Sequence, residues 1–268
     1  MSELPIWLIG CGNMAGAMLA GWLVADEPTD RFRIVRPSGV PFGSGISVQS
    51  HLPQSGFGEA IVQIGFKPHM LADIAPDMRS LVGPETCIVS ILAGVELATL
   101  REAFPDAGQI VRAMPNTPVA LGKGVVGLIA EDEQGEHAAD VATLMAKLGL
   151  AEWIADERLF DVVTALSGSG PAFVFRFMDA LARGGEALGL DPAQALRMAV
   201  ETVRGAAELA GQSDERPATL ADRVASPGGS TRKGLDILDD DEALAKLVHA
   251  TLEAATSRNR EMAEEARR

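Results

Sequence analysis

The residues of this chain whose spacing most clearly predicts chemistry lie in a glycine-rich segment near the start. Residues 10–15 read G-C-G-N-M-A, directly after the apolar run Ile6–Ile9 and directly before a helical pattern. In the spacing G-x-G-x-x-A, Gly10 permits a tight turn, Gly12 lets the backbone approach a pyrophosphate, and Ala15 lets the helix pack on the strand. The helix N-terminus would add unpaired N–H groups and a partial positive charge. The segment predicts a dinucleotide-binding loop, with an ordinary glycine-rich turn as the alternative.

The residues after the second predicted strand distinguish the two nicotinamide dinucleotides. An NAD site usually places an acidic residue there, about 20 residues after the glycine loop, to bind the ribose 2′-hydroxyl. Here Asp30 falls before the strand, and the strand is followed by Arg36, Pro37 and Ser38. Arg36 and Ser38 could pair with a 2′-phosphate, so the sequence predicts NADPH, with NADH used more weakly. A solvated strand-end charge is the alternative for Arg36.

A second glycine-rich segment lies far along the chain. Residues 227–231 read P-G-G-S-T and are typical of a turn that opens a helix, here running through Leu238. The free backbone N–H groups of such a turn would bind a carboxylate without an arginine. An ordinary glycine-rich helix start is the alternative. Residues 230–233 also match the S-x-x-K pattern of acyl-transferring hydrolases, but neither S-D-N nor K-T-G occurs in the sequence.

Two further motifs interrupt regular patterns. Asn116 stands between Pro115 and Pro118 at a predicted strand end, where ligands of parallel sheets bind. The prolines restrict the backbone and would aim the Asn116 amide, so contact with a substrate and a tie that only holds the loop both stay open. Residues 167–171, S-G-S-G-P, break a helical pattern and favour a kink that permits close packing.

The motifs of the first half of the chain lie between predicted strands and helices that alternate along the sequence. Short apolar runs alternate with amphipathic stretches up to about residue 153, which is typical of βαβ units and a mostly parallel sheet. The predicted strands are Ile6–Ile9, Phe32–Val35, Ala60–Ile64, 87–91, 109–112 and 124–128, and the predicted helices 14–24, 70–80, 95–104 and 136–148.

Strand patterns stop after about residue 155. Helical periodicity follows over 157–190, 192–210, 218–224 and 242–266, with Asp191-Pro192 as a helix start. The acidic run 239–242 is expected to cap the last helix rather than to bind a metal. The fold class is therefore an α/β Rossmann-type domain over 1–155 followed by an all-α domain over 156–268.

Composition narrows the classes of partner. The formal net charge of −14 disfavours nucleic acids and membranes as partners. Cys11 and Cys87 form neither a disulfide framework nor a metal-ligand spacing, none of the four histidines lies in a metal-ligand motif, and no metal is expected. No signal peptide is apparent, and no apolar stretch approaches the ~18 residues that span a bilayer. We expect a cytoplasmic protein with reduced thiols that acts on a small molecule.

Five motifs in one order make a specific resemblance. They are G-F-K-P at 65–68, V-S-I-L-A-G at 89–94, V-R-A-M-P-N-T-P at 111–118, A-L-S-G-S-G-P-A at 165–172 and S-P-G-G-S-T at 226–231. Together they resemble pyrroline-5-carboxylate reductases, the enzymes of the last step of proline synthesis, over nearly the whole chain. The resemblance implies a helical C-terminal domain that interlocks two subunits. It implies a homodimer, or a higher homo-oligomer such as a decamer.

The resemblance also implies roles for individual residues. The phosphates and ribose of NADPH would be held by the glycine loop and the turn after the second strand, through Gly10, Cys11, Gly12, Asn13, Met14, Arg36 and Ser38. The cleft near the nicotinamide would be lined by Phe66, Lys67 and Ala93. The substrate loop would consist of Ser226, Gly228, Gly229 and Ser230, and the hydroxyl of Thr231 would meet the imine nitrogen as the catalytic group.

The implied reaction is the reduction of 1-pyrroline-5-carboxylate to L-proline by hydride transfer from NADPH. Because the imine can arrive already protonated, no strong general acid is needed, and Thr231 or water could supply a proton. A reductase of a related cyclic imine and an NADP-binding regulatory subunit without activity are the alternatives.

Three departures from the family pattern stand out. Residues 65–66 are G-F where the family usually has A-V, Arg223 stands where an amide is frequent, and residues 39–58 match poorly. We therefore assign no cofactor contact to residues 39–58.

Overall fold

The computed structural model describes residues 4–42 and 45–266, in which eight strands form one sheet. The spatial order is β3-β2-β1-β4-β5-β6-β7-β8, and each neighbouring pair is parallel except the antiparallel pair β6–β7. Every residue of β4, β5 and β6 is buried, because helices cover both faces of a parallel sheet. The strands are β1 Ile6–Ile9, β2 Phe32–Val35, β3 Ser47–Gln49, β4 Ala60–Ile64, β5 Thr86–Ser90, β6 Gln109–Pro115, β7 Gly124–Ala130 and β8 Gly149–Trp153.

The α/β prediction is confirmed, and all six predicted strands are present, three of them with identical bounds. The sequence analysis missed β3 and β8, which are the two edge strands of the sheet. β3 has three residues, β8 alternates between half-buried and exposed residues, and neither strand contains a buried residue. An edge strand needs no continuous apolar run, so its sequence resembles that of a loop.

Four helices pack on the sheet over the region of predicted alternation. They begin and end within one to two residues of the predicted bounds, and Trp22 links two of them by donating from Nε1 to the carbonyl of Leu144 at 2.9 Å. The apolar core is divided into one layer on each sheet face. These helices are α1 Asn13–Val24, α2 Leu71–Arg79, α3 Leu97–Ala103 and α4 Ala138–Ala146.

Helices make up the rest of the described chain after β8, as predicted. The helical periodicity predicted over 157–190 is interrupted, as the sequence predicts: the chain forms a 3-10 turn, a short helix and a π turn at Thr164–Gly168 before a longer helix starts at Gly170. The S-G-S-G-P motif lies at this interruption. The helices are α5 Phe160–Val163, α6 Gly170–Ala187, α7 Pro192–Gly211, α8 Pro217–Val224, α9 Ser230–Asp239 and α10 Ala243–Ala266.

Local signals explain two of these helix starts. Asp191 caps α7, since its Oδ1 accepts from the backbone N–H of Gln194 at 3.0 Å, and Pro192 occupies the first helical position. The acidic run before α10 forms a 3-10 turn at Asp240–Glu242, from which Asp241 pairs with Lys246 at 2.9 Å.

The described chain divides into two compact units. One contains the residues up to Ser169 together with those from Ala255 onward, and the other contains residues 170–254. Within the second unit, α6 and α7 pack against each other. Over residues 4–42 and 45–266, no helix combines the length and apolar character needed to cross a membrane.

Candidate active site

The glycine loop after β1 requires glycine at its first position. Gly10 has φ +83°, and a Cβ there would lie 2.9 Å from the backbone nitrogen of Phe66. A Cβ on Gly65 would in turn lie 2.9 Å from the carbonyl oxygen of Gly10 and 3.3 Å from the Cβ of Ala15. The turns after β1 and β4 therefore pack backbone against backbone. Gly65, where the family usually has alanine, belongs to this close approach.

The start of α1 is open where a phosphate group would lie. Gly12 is the N-cap residue, no side chain caps the helix, and a Cβ on Gly12 would meet no atom within 4 Å. Asn13 is exposed and Met14 half-buried in a first turn that carries no acidic residue. Unpaired N–H groups facing open space at a helix N-terminus fit an anion.

Arg36 follows β2 at the same edge of the sheet. Its Nη2 donates to the carbonyls of Val40 and Pro41, the latter at 3.1 Å, while its Nε is buried with no hydrogen-bond partner in the described chain. The backbone N–H of Gly10 donates to the carbonyl of Val35 at 2.9 Å, so Arg36 follows directly beside the glycine loop. Burial raises the pKa of the Cys11 thiol, and the positive charge of Arg36 opposes that rise. A buried, unpaired cationic donor beside an open helix N-terminus fits a phosphorylated cofactor.

The neighbouring residue Ser38 is exposed. Its Oγ accepts a long hydrogen bond of 3.5 Å from the backbone N–H of Val40, within the same turn. The hydroxyl thus remains accessible to a ligand.

The residues predicted to line the nicotinamide cleft also follow strand ends. Lys67 is exposed three residues after β4, and Phe66 beside it packs partly against the core layer. Ala93 is exposed in the turn after β5. Since β1, β2, β4 and β5 are parallel, their carboxyl ends share one edge of the sheet. The structure therefore brings all ten predicted cofactor residues to the edge where Rossmann-type folds bind dinucleotides.

Asn116 follows β6 and is only 6% exposed. Its Oδ1 accepts from the backbone N–H of Val125 at 2.9 Å, and its Nδ2 donates to the carbonyl of Ser167 at 3.0 Å. The amide thereby joins the end of β6 to β7 and to the π turn. This is the loop-holding role that the sequence left open, and a substrate contact through the second Nδ2 hydrogen stays a prediction.

The predicted substrate loop lies in the unit 170–254. Gly228 has φ +73°, and Gly229 is the N-cap residue of α9, with its N–H donating to the carbonyl of Ser226 at 3.0 Å. A Cβ on Gly229 would lie 2.6 Å from the Oγ of Ser226. No side chain caps α9, so its first N–H groups are open beside the exposed residues Ser230 and Thr231. An uncapped helix start of this kind has free backbone N–H groups, which the predicted carboxylate site requires.

Two arginines near this loop are already paired. Arg232 contacts Asp222 at 2.5 Å, and Arg223 contacts Glu215 at 2.6 Å. Arg223, which stands where the family often has an amide, thus has a carboxylate partner within its own unit.

Glu157 supports the end of β6, and this role was not predicted from the sequence. Its Oε1 accepts from Nη1 of Arg112 in β6 and from the backbone N–H of Leu97 at the start of α3, the latter at 2.8 Å. The available signal was Arg112 itself, since an arginine inside a buried apolar strand requires a carboxylate.

Large apolar side chains are exposed on the helices of the unit 170–254. Such a concentration on one part of a monomer is typical of a surface that a partner covers. They include Phe175, Phe177, Leu209, Ile237 and Leu247.

Comparison with known proteins agrees with this arrangement. A family model described as pyrroline-5-carboxylate reductase dimerisation matches residues 157–262. The chain is 34% identical to the pyrroline-5-carboxylate reductase of Pseudomonas aeruginosa, covering 99% of both chains, and 34% identical to that of Arabidopsis thaliana, covering 98% of this chain and 96% of the other.

Solved structures of pyrroline-5-carboxylate reductases have the same fold as this chain. A pyrroline-5-carboxylate reductase from Coxiella burnetii superposes with a TM-score of 0.87 at 28% identity, covering 97% of this chain and 98% of the other. Pyrroline carboxylate reductase from Plasmodium falciparum with NADP bound has the same fold, with a TM-score of 0.81 at 24% identity over 98% and 99% of the two chains. The dimerisation match and the exposed apolar helices together indicate a homo-oligomer. On its motifs, its fold and its full-length relatives, the chain belongs to the pyrroline-5-carboxylate reductase family.

Proposed function

We propose that this protein reduces 1-pyrroline-5-carboxylate to L-proline with a hydride from NADPH. The observation that carries the proposal is the presence of two open anion cradles in one chain of this family. One is the start of α1 at Gly12, and the other is the start of α9 at Gly229. A dinucleotide phosphate and a substrate carboxylate are the two anions that this reaction requires.

The cofactor cradle favours the phosphorylated dinucleotide. Arg36 and Ser38 stand where an NAD site would carry an acidic residue, and the Nε of Arg36 is buried without a partner in the described chain. We propose that Gly10, Cys11, Gly12, Asn13 and Met14 hold the pyrophosphate. Phe66, Lys67 and Ala93 then border the nicotinamide. NADP bound to the Plasmodium falciparum protein supports the same cofactor here.

The substrate cradle supplies orientation rather than strong acid–base catalysis. Ser226, Gly228, Gly229 and Ser230 would hold the carboxylate through backbone N–H groups. Thr231 would hold the ring nitrogen, and either its hydroxyl or water would supply a proton. When bound, the cofactor supplies the hydride to the imine carbon. The residues of each cradle would contribute by orienting the reactant that they bind.

The assembly and the domain division extend this proposal. We propose a homodimer formed through the helical domain 156–268, with 1–155 as the cofactor domain, and a decamer as the higher assembly to test. The dimerisation family model over 157–262 supports this division. We also propose a cytoplasmic enzyme, consistent with its free Cys11 and Cys87 thiols.

A substrate-dependent assay tests the function. Purified protein should oxidise NADPH only when pyrroline-5-carboxylate is added, and more slowly with NADH. Tight NADPH binding without turnover would support a regulatory binding protein instead. Turnover with a different ring imine, and none with pyrroline-5-carboxylate, would support a reductase of a related metabolite.

A further inference from the structure

The turn after β5 carries Ala93, which the proposed function places beside the nicotinamide. In this turn, the backbone N–H of Val95 donates to the carbonyl of Leu92 at 3.4 Å. Leu92 and Val95 are buried in one apolar layer of the sheet, whereas Ala93 between them is exposed. Gly94 has φ +75°, a conformation that favours glycine. The core therefore fixes the two ends of the turn but not its middle.

The last turns of α10 cover the middle of this turn. From Ala255 onward, α10 belongs to the same compact unit as the sheet. A Cβ on Gly94 would lie 3.3 Å from the Cα of Ala263 and 3.4 Å from its backbone nitrogen. Ala263 is 7% exposed, so this contact leaves little room for a larger side chain on either residue. The turn and the helix thus pack backbone against backbone.

Other residues of the same helix face anchor α10. Thr256, Asn259 and Ala263 are spaced by three and four positions, which places them on one face, and Thr256 is also buried. The Nδ2 of Asn259 donates to the carbonyl of Asp161 in α5 at 3.1 Å, and the Nε of Arg260 lies 3.8 Å from the Oδ2 of Asp161. Because α10 is tied to α5 as well, it can act as a fixed support for the turn.

We propose that Ala263 is a positioning residue for hydride transfer, which holds the turn that carries Ala93 in place through its contact with Gly94. The inference rests on the proposed function, since it takes the nicotinamide as the group beside Ala93. Reaction rates depend steeply on the alignment of the reactants, so a displaced turn slows hydride transfer more than it weakens binding. The phosphate sites at Gly12 and Arg36 follow other strands and do not meet this turn.

Larger residues at position 263 test the assignment. Ala263→Ser keeps the volume nearly unchanged, whereas Ala263→Val and Ala263→Leu add bulk that must displace the turn or the helix. Ala138→Leu is the matched control, because Ala138 is 2% exposed in the first turn of α4. This helix follows the end of β7, where Ala130 pairs with Val111 near the start of β6, at the sheet edge opposite the carboxyl ends of the parallel strands.

Calorimetry with NADPH and with adenosine 2′,5′-bisphosphate measures the two halves of the cofactor site without catalysis. Ala263→Leu should weaken NADPH binding about threefold, because a displaced turn loses a few van der Waals contacts with the nicotinamide half. Binding of the bisphosphate should not change, since this fragment lacks the nicotinamide. Ala263→Ser and Ala138→Leu should match the native protein with both ligands.

Single-turnover oxidation of bound NADPH by pyrroline-5-carboxylate, followed by stopped-flow absorbance, measures the reaction step. The amplitude reports how much protein is folded and active, and the rate constant reports hydride transfer within that protein. We expect Ala263→Leu to lower the rate constant about tenfold, with a smaller loss in Ala263→Val. Ala263→Ser should retain the native rate constant, and Ala138→Leu should change the amplitude or the Tm alone. If Ala263→Leu does not fold, Ala263→Val provides the same test.

Two results would overturn the assignment. One is an equal loss of affinity for NADPH and for the bisphosphate, and the other is a rate constant in the enlarged variants as high as in Ala138→Leu. Native protein that binds NADPH but does not oxidise it with pyrroline-5-carboxylate would refute the proposed function instead. The two affinities would then decide the role of Ala263 by themselves.

Discussion

The ion pair between Arg112 and Glu157 offers the sharpest test of what supports the site. Arg112 lies in β6, its side chain is 5% exposed, and its guanidinium lies over the ring of Phe160 at 4.4 Å. Glu157 neutralises it and also accepts from the N–H of Leu97 at 2.8 Å. The strand β6, which Asn116 follows, is thus anchored through the buried charge of Arg112.

Replacing Glu157 by glutamine removes the negative charge and retains an oxygen that can accept from Leu97. Removing one partner of a buried pair costs about 3–5 kcal/mol. Since the Glu157 side chain is 29% exposed, we expect the low end of that range, about 3 kcal/mol of unfolding free energy. For a chain of this size, the expected fall in Tm is about 6–12 °C.

A surface pair provides the matched control. Arg101 and Glu131 are 2.8 Å apart, with side chains 32% and 43% exposed, so Glu131→Gln should cost less than about 1 kcal/mol. Thermal unfolding followed by circular dichroism, at one protein concentration because the chain is a homo-oligomer, measures both variants. Equal losses of Tm in Glu157→Gln and Glu131→Gln would refute the reasoning from burial.

Three further predictions follow from the same structure. Arg36→Ala should weaken NADPH binding at least about tenfold and NADH binding much less, measured by fluorescence titration, and equal losses would contradict the phosphate role. Thr231→Ala should lower kcat at least about tenfold in steady-state assays while the NADPH Kd stays nearly constant, and an unchanged kcat would exclude this hydroxyl. Burial alone would raise the pKa of Glu27, but Lys147 and Arg31 outweigh it and hold the pKa below its ordinary value. The stability that this carboxylate provides is therefore present above about pH 4.5 and lost at lower pH, so Glu27→Gln should flatten the acid side of a Tm–pH profile, and an unchanged slope would contradict this.

Much of the fold could be predicted because its signals are local. The strands β1, β2 and β4 are rich in apolar residues and mostly buried, and their bounds matched those read from the sequence. The edge strands β3 and β8 escaped prediction because neither contains a buried residue and so neither needs an apolar run. The π turn at Thr164–Gly168 was not predicted in its exact form, and it makes a contact far along the chain, since Asn116 donates to the carbonyl of Ser167 within it.

The sequence alone was enough to predict the two glycine-rich helix starts. Gly10, Gly12, Gly228 and Gly229 are defined by backbone conformation and by the absence of a Cβ, which are properties of the residues themselves. The absence of an acidic residue at the end of the second strand was equally visible, because that strand end could be recognised in the sequence. Order and spacing of the motifs then identified the family.

Only the tertiary structure decided what surrounds these residues. It joined Arg112 to Glu157, 45 positions apart, and Asn116 to Ser167, 51 positions apart. It left the Nε of Arg36 buried without a partner in the described chain. Partners across the fold follow from how strands and helices pack, and no local pattern specifies which distant side chain will meet a given polar group.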